Sequence, residues 1–211
     1  MTITPTLSEL DLAALLCSKV CHDIISPVGA ITNGLEVLDE EGNEDMKDFA
    51  MDLIRKSAVS ASAKLTFARL AFGASGSAGA SIDTGDAQKA AEDYMAGEKA
   101  ELEWSGPRLL LPKNKVKLLL NLLLVAAGAV PRGGSIKLSL EGAEEDIKFT
   151  IDCTGPNARV PAGFLDCLNG TLEGEVDAHA VQPYYTVLLS KSTGMELSAR
   201  VDSEAVVLTA G

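Results

Sequence analysis

Positive charge is scarce in this chain: 18 Lys and Arg stand against 30 Asp and Glu, a formal net charge of -12 over 211 residues. Such a surface repels phosphate backbones and anionic lipid unless a local basic patch overrides the total, so neither nucleic acid nor a membrane is an expected partner. Cysteine is sparse too. Cys17, Cys21, Cys153 and Cys167 contain no CxxC pair, and no basic N-terminal cluster leads into an apolar run and a cleavage site. This pattern predicts a reducing cytoplasm and no metal site. The longest apolar stretch, Leu118 to Val130, is interrupted by Asn121 and falls short of the ~20 residues that span a bilayer, which predicts a soluble protein.

What is present is a hydrophobic fraction of 46%, enough to bury a core in one large domain or two small ones. Ser8 followed by Asp11 reads as a helix start, and apolar residues then recur at spacings of three and four from Leu10 to Leu38. This predicts one long helix. The turn "DEEGNED" at 39–45, with Asn43 as its expected N-cap, leads into a second helical period from Met46 to Phe72. Two long helices joined so tightly must lie antiparallel, and one hairpin cannot cover its own apolar stripe. A second copy packed alongside would complete a four-helix bundle, so a homodimer is expected. "GASGSAGAS" at 73–81 reads as a flexible linker. The expected organisation is a hairpin over 1–75, a linker over 76–82 and a mixed α/β domain over 83–211.

In that second part, "AELEWS" and "PRLLLP" suit short strands and "NKVKLLLNLLLVAAGAV" suits a buried helix. "GSIKLSLE" and "DIKFTID" alternate as strands around an acidic turn. Short helices near 161–168 and 180–192 precede paired terminal strands near 195–209. A helical layer on an antiparallel-rich sheet is the expected result.

On a helical wheel the core stripe of the first helix centres on Ala13, Val20, Ile24, Ile31 and Leu38, and His22 lies roughly 160° from that centre. His22 should therefore face water, with Ser18 and Ser26 one turn away and Gly29 two turns on. Cys17 and Cys21 sit near the stripe and read as small buried apolar groups. Pro27 costs a helix interior about 3 kcal/mol, so its presence suggests a kink with a purpose. An exposed imidazole with an ordinary pKa of about 6.5 is largely neutral at cytoplasmic pH and is a competent nucleophile. An exposed histidine with no function is the plain alternative.

"HDIISPVGAI", His22 to Ile31, resembles the phospho-acceptor box of two-component histidine kinases, in which the first helix of a dimeric hairpin carries a histidine, an acid and, five positions on, a proline. The second domain resembles the kinase ATPase sandwich in part. "LLLNLLLVAAGAVPRGGSIKLSLE" looks like the region of the asparagine box, with Asn121 at the first asparagine. The second, magnesium-holding position falls on Val125, which has no oxygen to offer a hard cation. "DCTGPNARVP" places Asp152 and Gly155 at the wrong spacing for the adenine box, and "DAHAVQPYYTVLLSKSTG" lacks a phosphate-cradling glycine lid. ATP binding is therefore expected to be lost.

A phosphorylatable histidine on a dimeric hairpin joined to a degenerate histidine-kinase-like ATPase α/β sandwich resembles the ChpT-type histidine phosphotransferases of alphaproteobacterial cell-cycle phosphorelays. "LCSKVCHDIISPVGAITNGLEVL" is the most specific part of a likeness that covers nearly the whole chain; a sporulation phosphotransferase of similar architecture is a more distant match. The resemblance implies that His22 takes a phosphoryl group from a receiver aspartate and passes it to another, with Asp23 and Ser26 as its helpers. It implies a CckA-like hybrid-kinase receiver upstream and CtrA-like and CpdR-like response regulators downstream. Magnesium would come from the receiver, leaving this chain without a cofactor of its own. Lys19, Gly29, Asn33, Lys56 and Lys64 are the expected receiver-docking residues; equal helical rise on the two arms brings Lys56 and Lys64 alongside His22. His179, where the lid would be, reads as structural or incidental. A non-catalytic dimeric adaptor and a divergent ATP-dependent kinase remain the alternatives.

Overall fold

The computed structural model describes residues 7–40, 44–73, 80–172, 174–178, 180–202 and 205–211. Asn43, expected as an N-cap, and His179, read as structural or incidental, lie outside these, as do residues 74–79 of the expected linker.

Helix α1 spans Glu9–Asp39 and α2 spans Lys47–Ala71, preceded by a single 3-10 turn at Glu44–Met46. Ser8 opens α1 as the pattern predicts: its hydroxyl accepts from the Asp11 N–H at 3.1 Å. The helix continues without interruption through Pro27. Pro27 and Gly34 are its buried residues, and they fall within roughly 40° of the stripe marked by Val20 and Leu38. At Gly34 the helices approach so closely that a Cβ would lie 2.6 Å from Cγ1 of Ile54. Among the described residues α1 is the one helix long and apolar enough, by length and composition, to cross a membrane. Here it packs along α2, and its first turns reach a third element. Leu12, Leu15 and Leu16 pack against a small core of Cys167, Val176, Val181 and Tyr184.

The α/β part begins with β1 (Ser81–Asp83), whose first two residues fall within the expected linker, and α3 (Thr84–Met95). Then follow β2 (Ala100–Ser105), β3 (Leu110–Pro112), α4 (Lys113–Ala129), β4 (Gly134–Glu141) and β5 (Lys148–Thr154). The chain ends with α5 (Ala162–Asn169), α6 (Val181–Thr193), β6 (Leu197–Asp202) and β7 (Ala205–Ala210). Five strands form one sheet in the order β2-β4-β5-β7-β6, while β1 and β3 pair separately. All neighbours in the larger sheet are antiparallel except β2 and β4, which run parallel from Ala100↔Gly134 to Ser105↔Ser139. The crossover between them contains α4, whose leucines 118, 119, 120, 122 and 123 are fully buried. Each contributes about 1.5–3 kcal/mol relative to exposure, which explains why this stretch has no polar face.

The step "PRGG" shows why β4 starts where it does. Gly133 and Gly134 have φ of +90° and +144°, and a Cβ on Gly134 would sit 2.1 Å from the Thr154 carbonyl oxygen. Any side chain there would drive β4 away from β5.

Helix α3 is the element the sequence pattern misses. Asp83 caps it, accepting from the Gly85 N–H at 2.7 Å and from Arg108 Nε at 2.8 Å. The Arg108 guanidinium and the Gly85 N–H hold the Asp83 carboxyl below the usual range. The buried face of α3 consists of Ala87, Ala90, Ala91 and Met95, small residues that carry a weak hydrophobic signal but let the helix lie close to α2 and α4.

Candidate functional site

His22 lies on the solvent side of α1, and its side chain is 80% exposed, in agreement with the wheel. It lies roughly 120–140° around α1 from Pro27 and Gly34, the buried residues of the helix. Truncating it would leave no cavity.

Asp23 is turned the other way. Its side chain is only 26% exposed, and it lines a narrow crevice with Val20, Lys64, Phe67, Tyr94 and Leu124. From there one carboxylate oxygen, Oδ2, accepts from the Lys19 ammonium one turn back. The other, Oδ1, stands 3.6 Å from Nδ1 of His22. That separation is longer than a hydrogen bond.

Tyr94 belongs to α3 and forms the far wall of this crevice, its ring 4.4 Å from that of Phe67, centroid to centroid. Burial, with added repulsion from Glu98 and Asp23, pushes the Tyr94 phenol well above its ordinary value. It remains neutral at any physiological pH. Sequence reasoning missed Tyr94 because it missed α3; the Asp83 cap followed by Ala87, Ala90 and Ala91 was the available signal.

Ser26, Pro27 and Ala30 of α1 open onto a cleft of about 680 Å³ whose opposite wall is α2, with Arg55, Lys56, Ser60 and Lys64. Asp93, Tyr94 and Gly97 from the end of α3 close its side. The structure thus brings Ser26, Lys56 and Lys64 to one cleft and sets Lys64 against Asp23 as well. Arg55, which the sequence reading passed over, joins them. Lys56 is paired with Asp52 at 2.7 Å. Gly29 is partly exposed, with open space around the position of a Cβ, and Asn33 is exposed; neither lines this cleft. Lys19 is 25% exposed and engaged with Asp23.

The expectation for Cys17 and Cys21 needs correction. Both are exposed in the chain. They sit at the edge of the stripe, on an open face shared with Leu10, Val28 and Leu35, which are 83%, 46% and 50% exposed. These positions span roughly 40° of α1. A hydrogen bond between the two thiols raises the Cys21 pKa. Burial pushes Cys153 up to about 12 and Cys167 up to about 11.

Asn121 and Val125, the two positions matched by sequence to the asparagine box, both lie in the core. Asn121 is fully buried, and its amide donates to the carbonyl oxygens of Ala71 at 3.0 Å and Lys117 at 2.9 Å. Gln182 of α6 donates to the Asn121 carbonyl oxygen at 2.9 Å and to Thr186 Oγ1 at 3.0 Å. Val125 is a core residue, 2% exposed. With the one asparagine committed to main chain and the second position apolar, these residues do not fit a magnesium–nucleotide group.

A family model described as the histidine phosphotransferase C-terminal domain matches residues 84–205. The protein phosphotransferase ChpT of Brucella abortus (strain 2308) is 56% identical over 211 residues, covering all of both chains. A solved bacterial phosphotransferase superposes with a TM-score of 0.92 at 54% identity, covering 99% of this chain and 100% of the other.

Proposed function

This chain belongs to the ChpT-type histidine phosphotransferases, and from that membership we propose that His22 is the residue that carries the phosphoryl group. A phosphotransferase working in a phosphorelay must accept the group from one receiver aspartate and yield it to another. The observation that supports His22 is its exposed ring on a rigid helix, with Asp23 Oδ1 behind Nδ1 at 3.6 Å.

The transfer runs in line. The P–O bond to the donor aspartate breaks as a P–N bond forms at Nε2, and the aspartate leaves as a carboxylate. The attacking ring is neutral, with its proton on Nδ1, so the phosphorylated ring becomes cationic, and Asp23 offsets that charge. The return leg reverses these steps on the next receiver. Positioning and charge neutralisation supply most of the acceleration in such a step. Ser26, one turn after His22 at the mouth of the cleft, leaves room for the receiver's loops and offers a hydroxyl to the phosphoryl oxygens. Lys56 and Lys64, with Gly29 and Asn33 on the exposed face of α1, form the docking surface for an acidic receiver pocket. Magnesium comes with the receiver, and ATP has no part in the reaction.

The functional unit is a homodimer. Leu10, Val28 and Leu35 of α1 and Met51 and Leu65 of α2 are exposed, the last two at 37% and 51%. A second hairpin laid on that face would complete a four-helix bundle. The donor is the receiver of a CckA-like hybrid kinase, the acceptors are CtrA-like and CpdR-like regulators, and the setting is the cytoplasm.

The test is incubation with a phosphorylated receiver in the absence of ATP. Acid-labile label should appear on the wild-type chain and on His22→Ala it should not, while His179→Ala should label normally. His22→Ala should melt within about 0.5 kcal/mol of wild type, the range of ordinary surface changes. A wild-type chain that binds the receiver yet takes no label would be an adaptor, and labelling from ATP alone would make it a kinase.

A further inference from the structure

We propose that Lys19 is a positioning residue for phosphoryl transfer, holding Asp23 so that its free oxygen faces Nδ1 of His22; this rests on His22 being the acceptor. The spacing makes it possible. Lys19 lies three residues before His22 and four before Asp23, so both are its neighbours one turn along the helix.

The Lys19–Asp23 pair differs from other lysine–aspartate pairs at four-residue spacing in this protein. Lys56 and Asp52 are 77% and 56% exposed, and Lys89 and Asp93 are 71% and 46% exposed. Pairs of that kind are solvated and contribute little. Lys19 and Asp23 are 25% and 26% exposed. Burial of this degree shields the pair from solvent and holds both groups in one arrangement.

The two oxygens of Asp23 then have separate tasks. Oδ2 is engaged by Lys19, and Oδ1 is the atom nearest His22. Phe67, Tyr94 and Leu124 wall the crevice behind the carboxylate. Without the ammonium, the carboxylate would be free to rotate toward bulk water and release the ring. With it, the Nδ1–H tautomer is favoured and the Nε2 lone pair points outward. Because that ammonium is already committed, Lys19 has little charge to offer a docking partner.

Single-turnover transfer from a phosphorylated receiver, measured over a range of receiver concentrations, separates docking from positioning. Lys19→Met keeps the aliphatic stem and removes the charge. Its limiting rate should fall roughly tenfold or more while the half-saturating receiver concentration stays unchanged, and Lys19→Arg should recover most of the loss. Lys19→Gln provides the same comparison should the methionine variant melt early. In nitrogen-15 spectra, the His22 ring should shift from a dominant Nδ1–H tautomer toward a mixture in Lys19→Met. An unchanged limiting rate, with or without a rise in the half-saturating concentration, would overturn the proposal. So would an unchanged tautomer. Failure of the wild-type chain to take label would instead sink the assignment of His22.

Discussion

The side-chain amide of Asn121, in the middle of α4, donates to the main-chain oxygen of Ala71, the last residue of α2, at 3.0 Å. Gln182 binds the same asparagine from α6, and α6 in turn packs on the first turns of α1. Both arms of the hairpin are thus tied to the α/β part through buried groups. Asn121→Ala would leave the buried Ala71 carbonyl without its side-chain donor, at a cost of about 1–3 kcal/mol, while Gln182 keeps the main-chain oxygen of residue 121 and Thr186. Urea denaturation should show that loss, and amide exchange should quicken first at the end of α2.

The open apolar face of the hairpin makes the dimer testable. Leu35→Glu should convert the protein to a monomer in sedimentation at micromolar concentration, because a carboxylate would be buried without a partner. Thiol labelling reports the same event. Cys17 and Cys21 should be protected in the dimer and react in the Leu35→Glu monomer. Cys153 and Cys167, held protonated and shielded by burial, should stay unlabelled until the chain unfolds.

Gly34 governs the hairpin seam. Gly34→Val would press a branched side chain onto Ile54 and the Ala50 carbonyl, 3.2 Å from the new Cβ. Overpacking of this kind costs about 1–3 kcal/mol and should appear as a lower melting temperature with His22 still exposed.

Asp83 gives the fold an acid-sensitive joint. Its carboxyl titrates lower in the folded chain than in the unfolded one, so its charge stabilises the protein above the unfolded value of about 3.9. That contribution is lost as the pH falls through the lowered folded value. Asp83→Asn keeps a capping oxygen and removes the charge. Melts should show the variant below wild type at pH 7, with the gap closing on acidification below about pH 4.

The long helices were legible because a 3.6-residue period needs no partner to be visible, and the Ser8 cap and the exposure of His22 followed from it. Strands β4 and β5 were legible from their alternation. Helix α3 was not, since its buried side is mostly alanine, and its place is set by what packs on it. The parallel pairing of β2 with β4 likewise carries no local signal; it depends on the crossover through α4.

Within the site the division is equally physical. Periodicity along α1 determined that His22 faces water, because position on a helix fixes direction. It could not determine what fills the space beside the helix. Asp23 becomes half-buried because Phe67, Tyr94 and Leu124 arrive from other elements, and Lys19, one turn back on α1, pairs with it there. Cys17 and Cys21 are open because none of the described elements covers their face. The apolar pattern specified which residues seek cover, and only the packing of α2, α3 and α6 decided which of them receive it within one chain.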